Sequence, residues 1–406
     1  MKKILFLTPQ FPHPPHQGTT IRNYNLIAQL ACRHEIHLLS LVAAPPSAQS
    51  MEHLSLCKSV HIVPAPVRSM RERAISTLLS PQPDMGLRLE SSDAHRRLAE
   101  LLRQEDFDVV EIEGIEMAPY LFQVARMTER RPRLVFDDHN AEYVLQRRAF
   151  ETDIRKPARW LGAAYSFVQW QKLRWYERQA CRCADRVVAV SAADAKALQG
   201  LLPSLAVTVI PNGVDLSFYR ADEQFPALPS SPSLVFTGKM DFRPNVDAVL
   251  WFYQRVLPRI QKGLPSPVHF YVVGQSPHPR LAPLVKDPHV TLTGYVNDVR
   301  PFIAGAEVYV VPLRIGGGTR LKVLEAMAMG KAIVSTTLGC EGLGLHDGEE
   351  ALLADTPAAF ADRVLALLRD ARRRRDLGQR ARAFVESRYD WRMIVPALEH
   401  LYERPA

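Results

Sequence analysis

The chain has 406 residues, 47% of them hydrophobic and 23% charged, and its 51 Lys and Arg against 43 Asp and Glu give a formal net charge of +8. That length is too great for one core and suits two domains of about 200 residues each. The composition excludes a disordered or collagen-like chain, and the basic excess is too diffuse for a nucleic-acid stripe.

The opening segment, MKKILFLTPQFPHPPH, holds two lysines and a four-residue apolar run. That run is too short for a signal-peptide core and no small-residue cleavage site follows it, so it reads as a buried first strand of a cytoplasmic protein. No window of about 18 uninterrupted apolar residues exists, which leaves out a membrane-spanning helix. Short β-branched or aromatic runs then alternate with longer helical patterns. Strands are expected at Ile4–Thr8, Glu35–Leu41, Val60–Val63, Val109–Glu111, Leu134–Asp137, Arg186–Val190 and Val207–Ile210. A second series is expected at Ser233–Thr237, Val268–Val273, Val290–Thr293, Val308–Val311, Ala332–Ser335 and Ala351–Leu353. Wholly apolar strands separated by helices predict parallel sheets covered on both faces, hence two doubly wound α/β domains. The break is expected in Pro211–Pro232, where periodicity is lost and Pro and Ser collect. Cys32, Cys57, Cys181, Cys183 and Cys340 are odd in number and scattered, which argues against a disulfide framework and against a metal site.

Ligands of such sheets bind beyond the carboxyl ends of the strands, so the residues after each strand matter most. The richest segment is VYVVPLRIGGGTRLKVLEAMAMGK, Val308 to Lys331. A strand ends at Pro312, then come Gly316, Gly317 and Gly318, then a helix expected from about Thr319 to Met329. Glycines let the backbone approach a ligand closely, and the first helical turn offers free N–H groups and partial positive charge, an arrangement suited to a phosphate. Arg320 and Lys322 add fixed positive charge. Glu325, three residues after Lys322, can accept hydrogen bonds from a vicinal diol such as a ribose; the alternative is a surface ion pair with Lys322.

LKVLEAMAMGKAIV, together with VIPNGVD at Val209–Asp215, resembles the family-4 retaining glycosyltransferases of the GT-B fold, and the resemblance runs over nearly the whole chain. It implies two Rossmann-like domains: residues 1–212 binding the acceptor, completed by a last helix in 390–406 that crosses back onto it, and residues 213–389 binding a nucleotide-sugar donor. Glu325 matches the ribose-binding glutamate. The glutamate normally eight residues earlier is here Gly317, so backbone N–H groups of Gly316–Thr319 are expected to take its place. After the strand Ser233–Thr237, Gly238 matches a glycine that precedes phosphate-binding cations. Lys239 stands in for the first of these cations and Arg243 neighbours the position of the second; both could instead be solvated loop charges. The main chain at Tyr295 and Val296 would read the base.

In the first half, Gly18 opens a helix after the Pro-rich loop and matches a glycine lying against the donor phosphate. Arg22, one turn on, could contact phosphate or acceptor. His13 and His16 in that loop are too weak a pair for a metal, and such enzymes bind none: protein cations and helix N-termini neutralise the departing diphosphate. In LVFDDHNAEY, Leu134–Tyr143, His139 fits the family's functional histidine near the transferred sugar, with Asn140 beside it facing the acceptor; the alternative is a helix cap by Asp138 or Asn140. Glu111, Glu113 and Glu116 follow another strand. One of them, Glu113 among the candidates, would orient an acceptor hydroxyl; otherwise they form a solvated edge. The assigned groups are therefore His139, Arg320 and Lys322 for catalysis, no cofactor beyond the nucleotide-sugar substrate, a glycan or lipid-linked acceptor of an envelope pathway, and no nucleic acid. Between Val144 and Arg186, ten Lys and Arg with interleaved Trp160, Tyr165, Phe167, Trp170, Trp175 and Tyr176 suit contact with an anionic membrane at its inner face, unless the aromatics are core. A sugar-nucleotide epimerase of the same fold and a non-catalytic scaffold are the alternatives.

Overall fold

Two separate parallel sheets organise the chain in the computed structural model, which describes residues 1–127, 131–155, 157–226, 228–229, 232–316 and 320–403. One unit is Met1–Asn212 with the chain from Ile394 onward; the other is Gly213–Met393.

The first unit's sheet contains β1 (Lys3–Thr8), β2 (Glu35–Val42), β3 (Ser59–Pro64), β4 (Val109–Glu113), β5 (Arg133–Asp138), β6 (Arg186–Ala189) and β7 (Val207–Val209), in the order β3-β2-β1-β4-β5-β6-β7. Strands β1 and β4 are buried along almost their whole length, as a parallel strand covered on both faces requires. Leu5, Leu7, Leu39, Val110, Ile112, Leu134 and Phe136 carry the core. Strand order reverses between β1 and β4, which opens the crevice where doubly wound sheets hold ligands. Helix Trp391–Leu401 joins this unit from Ile394 onward. It is fixed there by Glu399, which meets Arg33 and His34 at 2.9 Å each, and by the Leu401 carbonyl, which accepts from Arg133 at 3.0 Å.

The second unit repeats the plan with β8 (Ser233–Thr237), β9 (His269–Val273), β10 (Val290–Leu292), β11 (Val308–Val311), β12 (Ile333–Ser335) and β13 (Leu352–Leu353), ordered β10-β9-β8-β11-β12-β13. Its reversal lies between β8 and β11. Every expected strand is present, its ends displaced by one or two residues at most. The largest displacement has a consequence: β4 runs on to Glu113 and β5 to Asp138, so acidic side chains lie within the sheet rather than after it. Among the described residues, no helix is long and apolar enough to cross a membrane.

Candidate functional site

In the second unit, helix Leu321–Ala328 follows the glycine-rich loop, with Arg320 at its N-cap, two residues later than the expected start. Gly316 has φ +115; Gly317, Gly318 and Thr319 lie outside the described residues. The Lys322 ammonium reaches back to the end of β8, where it donates to the Thr237 carbonyl (2.7 Å) and to Asn245 Oδ1 (2.9 Å) and lies 4.2 Å from the Phe236 ring centroid. This explains the glycine that follows: at Gly238 (φ +149) an added Cβ would come within 2.6 Å of Lys322 Nζ and 2.8 Å of Asn245 Nδ2. Gly274, after β9, packs so close that a Cβ would meet the Gly238 carbonyl at 1.8 Å. The strand-end glycines thus make room for a half-buried cation.

Burial pushes the Lys322 ammonium down from 10.5 to about 7, against the opposing pull of Glu325. Arg320 is buried, 7% exposed, with its Nε 3.4 Å from the Leu338 carbonyl. Glu325 is raised by burial, an effect eased by a hydrogen bond from the Tyr219 hydroxyl and by the charge of Lys322. The two are therefore no solvated surface pair. Lys239 is exposed, 3.4 Å from Asp241, and Arg243 opens helix Arg243–Trp251 on the exposed side. Tyr295 is 64% exposed after β10, with Val296 half-buried beside it. This edge offers positive charge, strand-end backbone and one carboxylate, the groups that receive an anion with a diol attached.

The first unit presents the opposite charge. Glu111 and Glu113 on β4 and Asp137 on β5 are fully buried, with Glu113 and Asp137 paired in register. Asp137 Oδ2 accepts from Arg22 Nε (2.8 Å) and Nη2 (2.5 Å), and Arg22 Nη1 continues to the Pro211 carbonyl (3.2 Å) and Asn212 Oδ1 (3.1 Å). Arg22, 1% exposed, is therefore not the acceptor or phosphate contact expected of it. Its guanidinium is used up inside, tying the first helix to β5 and to the end of the unit. His139 Nε2 lies 2.8 Å from Glu113 Oε2. Burial disfavours its imidazolium, but the Glu113 hydrogen bond and the Asp137 charge outweigh this and raise its pKa. Glu113 is raised by burial and by Asp137, and Glu111 further still by burial, Glu113 and Asp137. Among the described residues Glu113 Oε1 and Asp137 Oδ1 have no hydrogen-bond partner, and the Tyr402 hydroxyl faces Glu111. Three acids thus crowd around one arginine and one histidine, and burial together with their mutual repulsion raises Glu111 and Glu113. The solvated edge does not exist for Glu111 and Glu113; Glu116 alone pairs outward, 3.5 Å from Arg88.

Ligand-type atoms of Glu113, Asp137 and His139 lie within 4.8 Å of one another, a spacing that could hold a cation, though the His139–Glu113 bond already uses one atom from each. His13 stacks on His53 at 4.1 Å rather than converging on His16. Gly18 is the exposed first residue of helix Gly18–Leu30, capped by Gln17 and Thr20. Asn140 is half-buried, 3.4 Å from Glu142 Oε1. Neither Asp138 nor Asn140 caps the following helix, Glu142–Asp153. Glu177 does so from across the unit, accepting from Glu142 N (2.6 Å) and Tyr143 N (3.0 Å). Of the aromatic series, Tyr176 is buried and Trp170 half-buried, whereas Trp160, Phe167 and Trp175 are exposed.

Sequence reasoning missed Asn245, Tyr219 and Glu177. Asn245 sits in an ordinary first helical turn, Tyr219 in the stretch without periodicity, and Glu177 in a basic, aromatic helix read as a membrane-contact surface. None carries a local signal for the partner it meets.

Comparison with known proteins agrees with both halves. The family description "Glycosyltransferase Family 4" matches residues 17–218, and "Glycosyl transferases group 1" matches residues 231–370. A Klebsiella pneumoniae protein described as an uncharacterized 44.6 kDa protein in the cps region is 21% identical, covering 98% of this chain and 99% of its own. The phosphatidyl-myo-inositol mannosyltransferase of Mycobacterium tuberculosis is 29% identical over 208 residues, 48% of this chain and 54% of that one. Among solved structures, Anabaena HepE in complex with UDP and glucose superposes with a TM-score of 0.67 at 16% identity, covering 98% of this chain and 99% of that one. Sucrose-phosphate synthase from Thermosynechococcus elongatus gives 0.71 at 16% identity, covering 99% and 98%. The fold is GT-B, and the chain belongs to the family-4 glycosyltransferases.

Proposed function

We propose that the protein moves a sugar from a nucleotide-diphosphate donor to an acceptor hydroxyl, with retention at the anomeric carbon. The observation that carries this reading is the strand-end edge of the second unit, where buried Arg320 and half-buried Lys322 put positive charge beside Gly238 and Gly316 and Glu325 lies one turn beyond. An anion flanked by a diol fits that order of groups, and UDP occupies the HepE structure. In this reading Arg320, Lys322 and the backbone of Gly238 and Gly316 neutralise the diphosphate as it leaves, with Lys239 and Arg243 at its rim. Glu325 holds the ribose, and Tyr295 and Val296 flank the base. The first unit serves the acceptor and transferred sugar through His139, Asn140 and Gly18, with buried Glu113 orienting the His139 ring. The donor phosphate oxygen takes the proton of the acceptor hydroxyl as the glycosidic bond to that phosphate breaks and the new one forms on the same face. Rate comes from positioning and from stabilising the leaving charge.

A glycan or lipid-linked acceptor of the cell envelope is supported by what the relatives are called: one lies in a cps region, and another mannosylates phosphatidyl-myo-inositol.

Thermal stability against a panel of nucleoside diphosphates and nucleotide sugars tests the donor reading. Ligand at 100 times its dissociation constant adds about 2.7 kcal/mol, a visible shift. A selective shift names the donor; no shift with any nucleotide leaves a scaffold. Turnover of donor without acceptor leaves an epimerase.

A further inference from the structure

Helix Met70–Leu79, sequence MRERAISTLL, is amphipathic in the wrong sense for a soluble surface. A surface helix ordinarily turns its apolar stripe inward. Here the inward side is polar and fully engaged. Arg73 Nε donates to Asp84 Oδ2 (3.1 Å), Arg68 bridges Asp84 Oδ1 (2.9 Å) and Ser76 Oγ (2.6 Å), and Gln169 Nε2 donates to Thr77 Oγ1 (3.1 Å). Lys172 Nζ closes the last turn on the carbonyls of Thr77 (2.5 Å) and Ser80 (2.7 Å). Thr77, Asp84 and Gln169 are buried. A capping box between Ser69 and Glu72 fixes the other end. The outward side carries Met70, Ile75, Leu78 and Leu79, exposed by 75, 57, 82 and 80%, with Val67 at 96% just before it.

A helix anchored by a buried polar network, with its apolar side held in solvent, is a built surface rather than a poorly packed one, and contiguous exposed apolar residues mark an interaction site. Its chemistry selects the partner. Exposed Arg71 stands one turn before Ile75 and two before Leu78, on the apolar side itself. Helix Trp160–Cys183, which supplies Gln169 and Lys172, begins with exposed Trp160 and Leu161 directly after exposed Arg155 and Arg159. Arginines interspersed with aliphatic residues and tryptophan match the boundary of an anionic bilayer, where apolar groups enter the acyl layer and cations meet headgroup phosphates. Exposed Glu72 follows Arg71, and Asp153 lies 3.0 Å from Arg159, so the cations are set among acids as well as apolar groups.

We propose that the outer face of helix Met70–Leu79, extended by Trp160 and Leu161, seats the protein on an anionic lipid surface. The sequence singled out Val144–Arg186 for such contact; helix Met70–Leu79 is the larger part of the surface. The inference is independent of the proposed transfer reaction, because the test needs neither donor nor acceptor.

Co-sedimentation of the whole chain with vesicles of equal parts phosphatidylcholine and phosphatidylglycerol, against phosphatidylcholine alone, decides it. The wild type should pellet with the anionic vesicles, less so in high salt and with neutral ones, and Trp fluorescence should shift to the blue. Leu78→Glu/Leu79→Glu should lower the partition coefficient by about tenfold or more, since charge then enters the acyl boundary. Arg71→Gln, which removes one charge, should cost a smaller, salt-sensitive factor of about fivefold. All these side chains face solvent, so the melting midpoint should stay unchanged and serve as the folding control. Wild type left in the supernatant, or the double variant pelleting equally well, overturns the proposal. So does a dimer that the double variant dissociates without vesicles, which would assign the face to a second copy.

Discussion

The carboxyl ends of β4 and β5 and those of β8 and β11 occupy the same place in their sheets, beside the point where strand order reverses, yet they carry opposite charge. The first gathers Glu111, Glu113 and Asp137 around Arg22 and His139; the second brings Lys322 and Arg320 to the strand-end glycines, with Glu325 one turn on. One plan of backbone therefore builds an acidic edge and a cationic edge. The difference lies in which side chains the strands carry at their last positions. On β4 and β5 the acids are within the sheet and must be neutralised by partners or protons. After β8 and β11 the chain turns on glycine, and the charge arrives from a helix.

The largest break in that comparison is expected at the Arg22–Asp137 pair. Asp137→Ala leaves a buried guanidinium without its counter-charge and should cost about 3–5 kcal/mol in urea unfolding. The double variant Arg22→Met/Asp137→Leu should recover most of the loss. Unchanged stability in Asp137→Ala would show that the pair does not hold the acidic edge together.

Next in size are the cations of the other edge. Arg320→Ala and Lys322→Ala should each lose roughly 2–4 kcal/mol of transition-state stabilisation in a donor-turnover assay. Turnover within about threefold of wild type for both would remove the phosphate role from this edge. Smaller again is Gly238→Ala. Its Cβ must displace the Lys322 ammonium from a position 2.6 Å away at φ +149, for a cost of about 1–3 kcal/mol and a parallel loss of nucleotide affinity.

The finest test is pH, because the two edges should respond with opposite sign. In the first unit, burial raises Glu177 from 4.5 to about 8 and Glu142 to about 7. The folded chain then keeps protons that the unfolded chain has lost, so these groups make stability fall as pH rises from 4.5 to about 8. In the second unit, burial lowers Lys322 from 10.5 to about 7 and Lys331 to about 8. There the unfolded chain holds the extra protons, and stability should rise with pH from about 7 to 10.5. Amide exchange reads each unit separately. Glu177→Gln should flatten the first slope and Lys322→Met the second; equal slopes in variants and wild type would place these groups in water.

Much of this molecule is legible before any coordinates. Strand positions follow from unbroken apolar runs such as VYVV, because a strand buried on both faces has no choice of residue. The cationic edge is legible because its parts are neighbours in sequence: glycines, Arg320, Lys322 and Glu325 span one loop and two helical turns. What tertiary structure decided is what distant residues do to one another. Arg22 looked like a ligand contact because nothing within a few turns of it shows Asp137, 115 residues away. Glu111 and Glu113 could be read as acceptor groups or as a solvated edge, because nothing near them in sequence shows that the neighbouring strand and the C-terminal segment bury them. Helix Met70–Leu79 has an ordinary amphipathic sequence. Only the buried contacts of Asp84, Gln169 and Lys172 decide which of its sides meets water. Local patterns state what a segment can form, and long-range pairing, which leaves no period in the sequence, decides which way it faces.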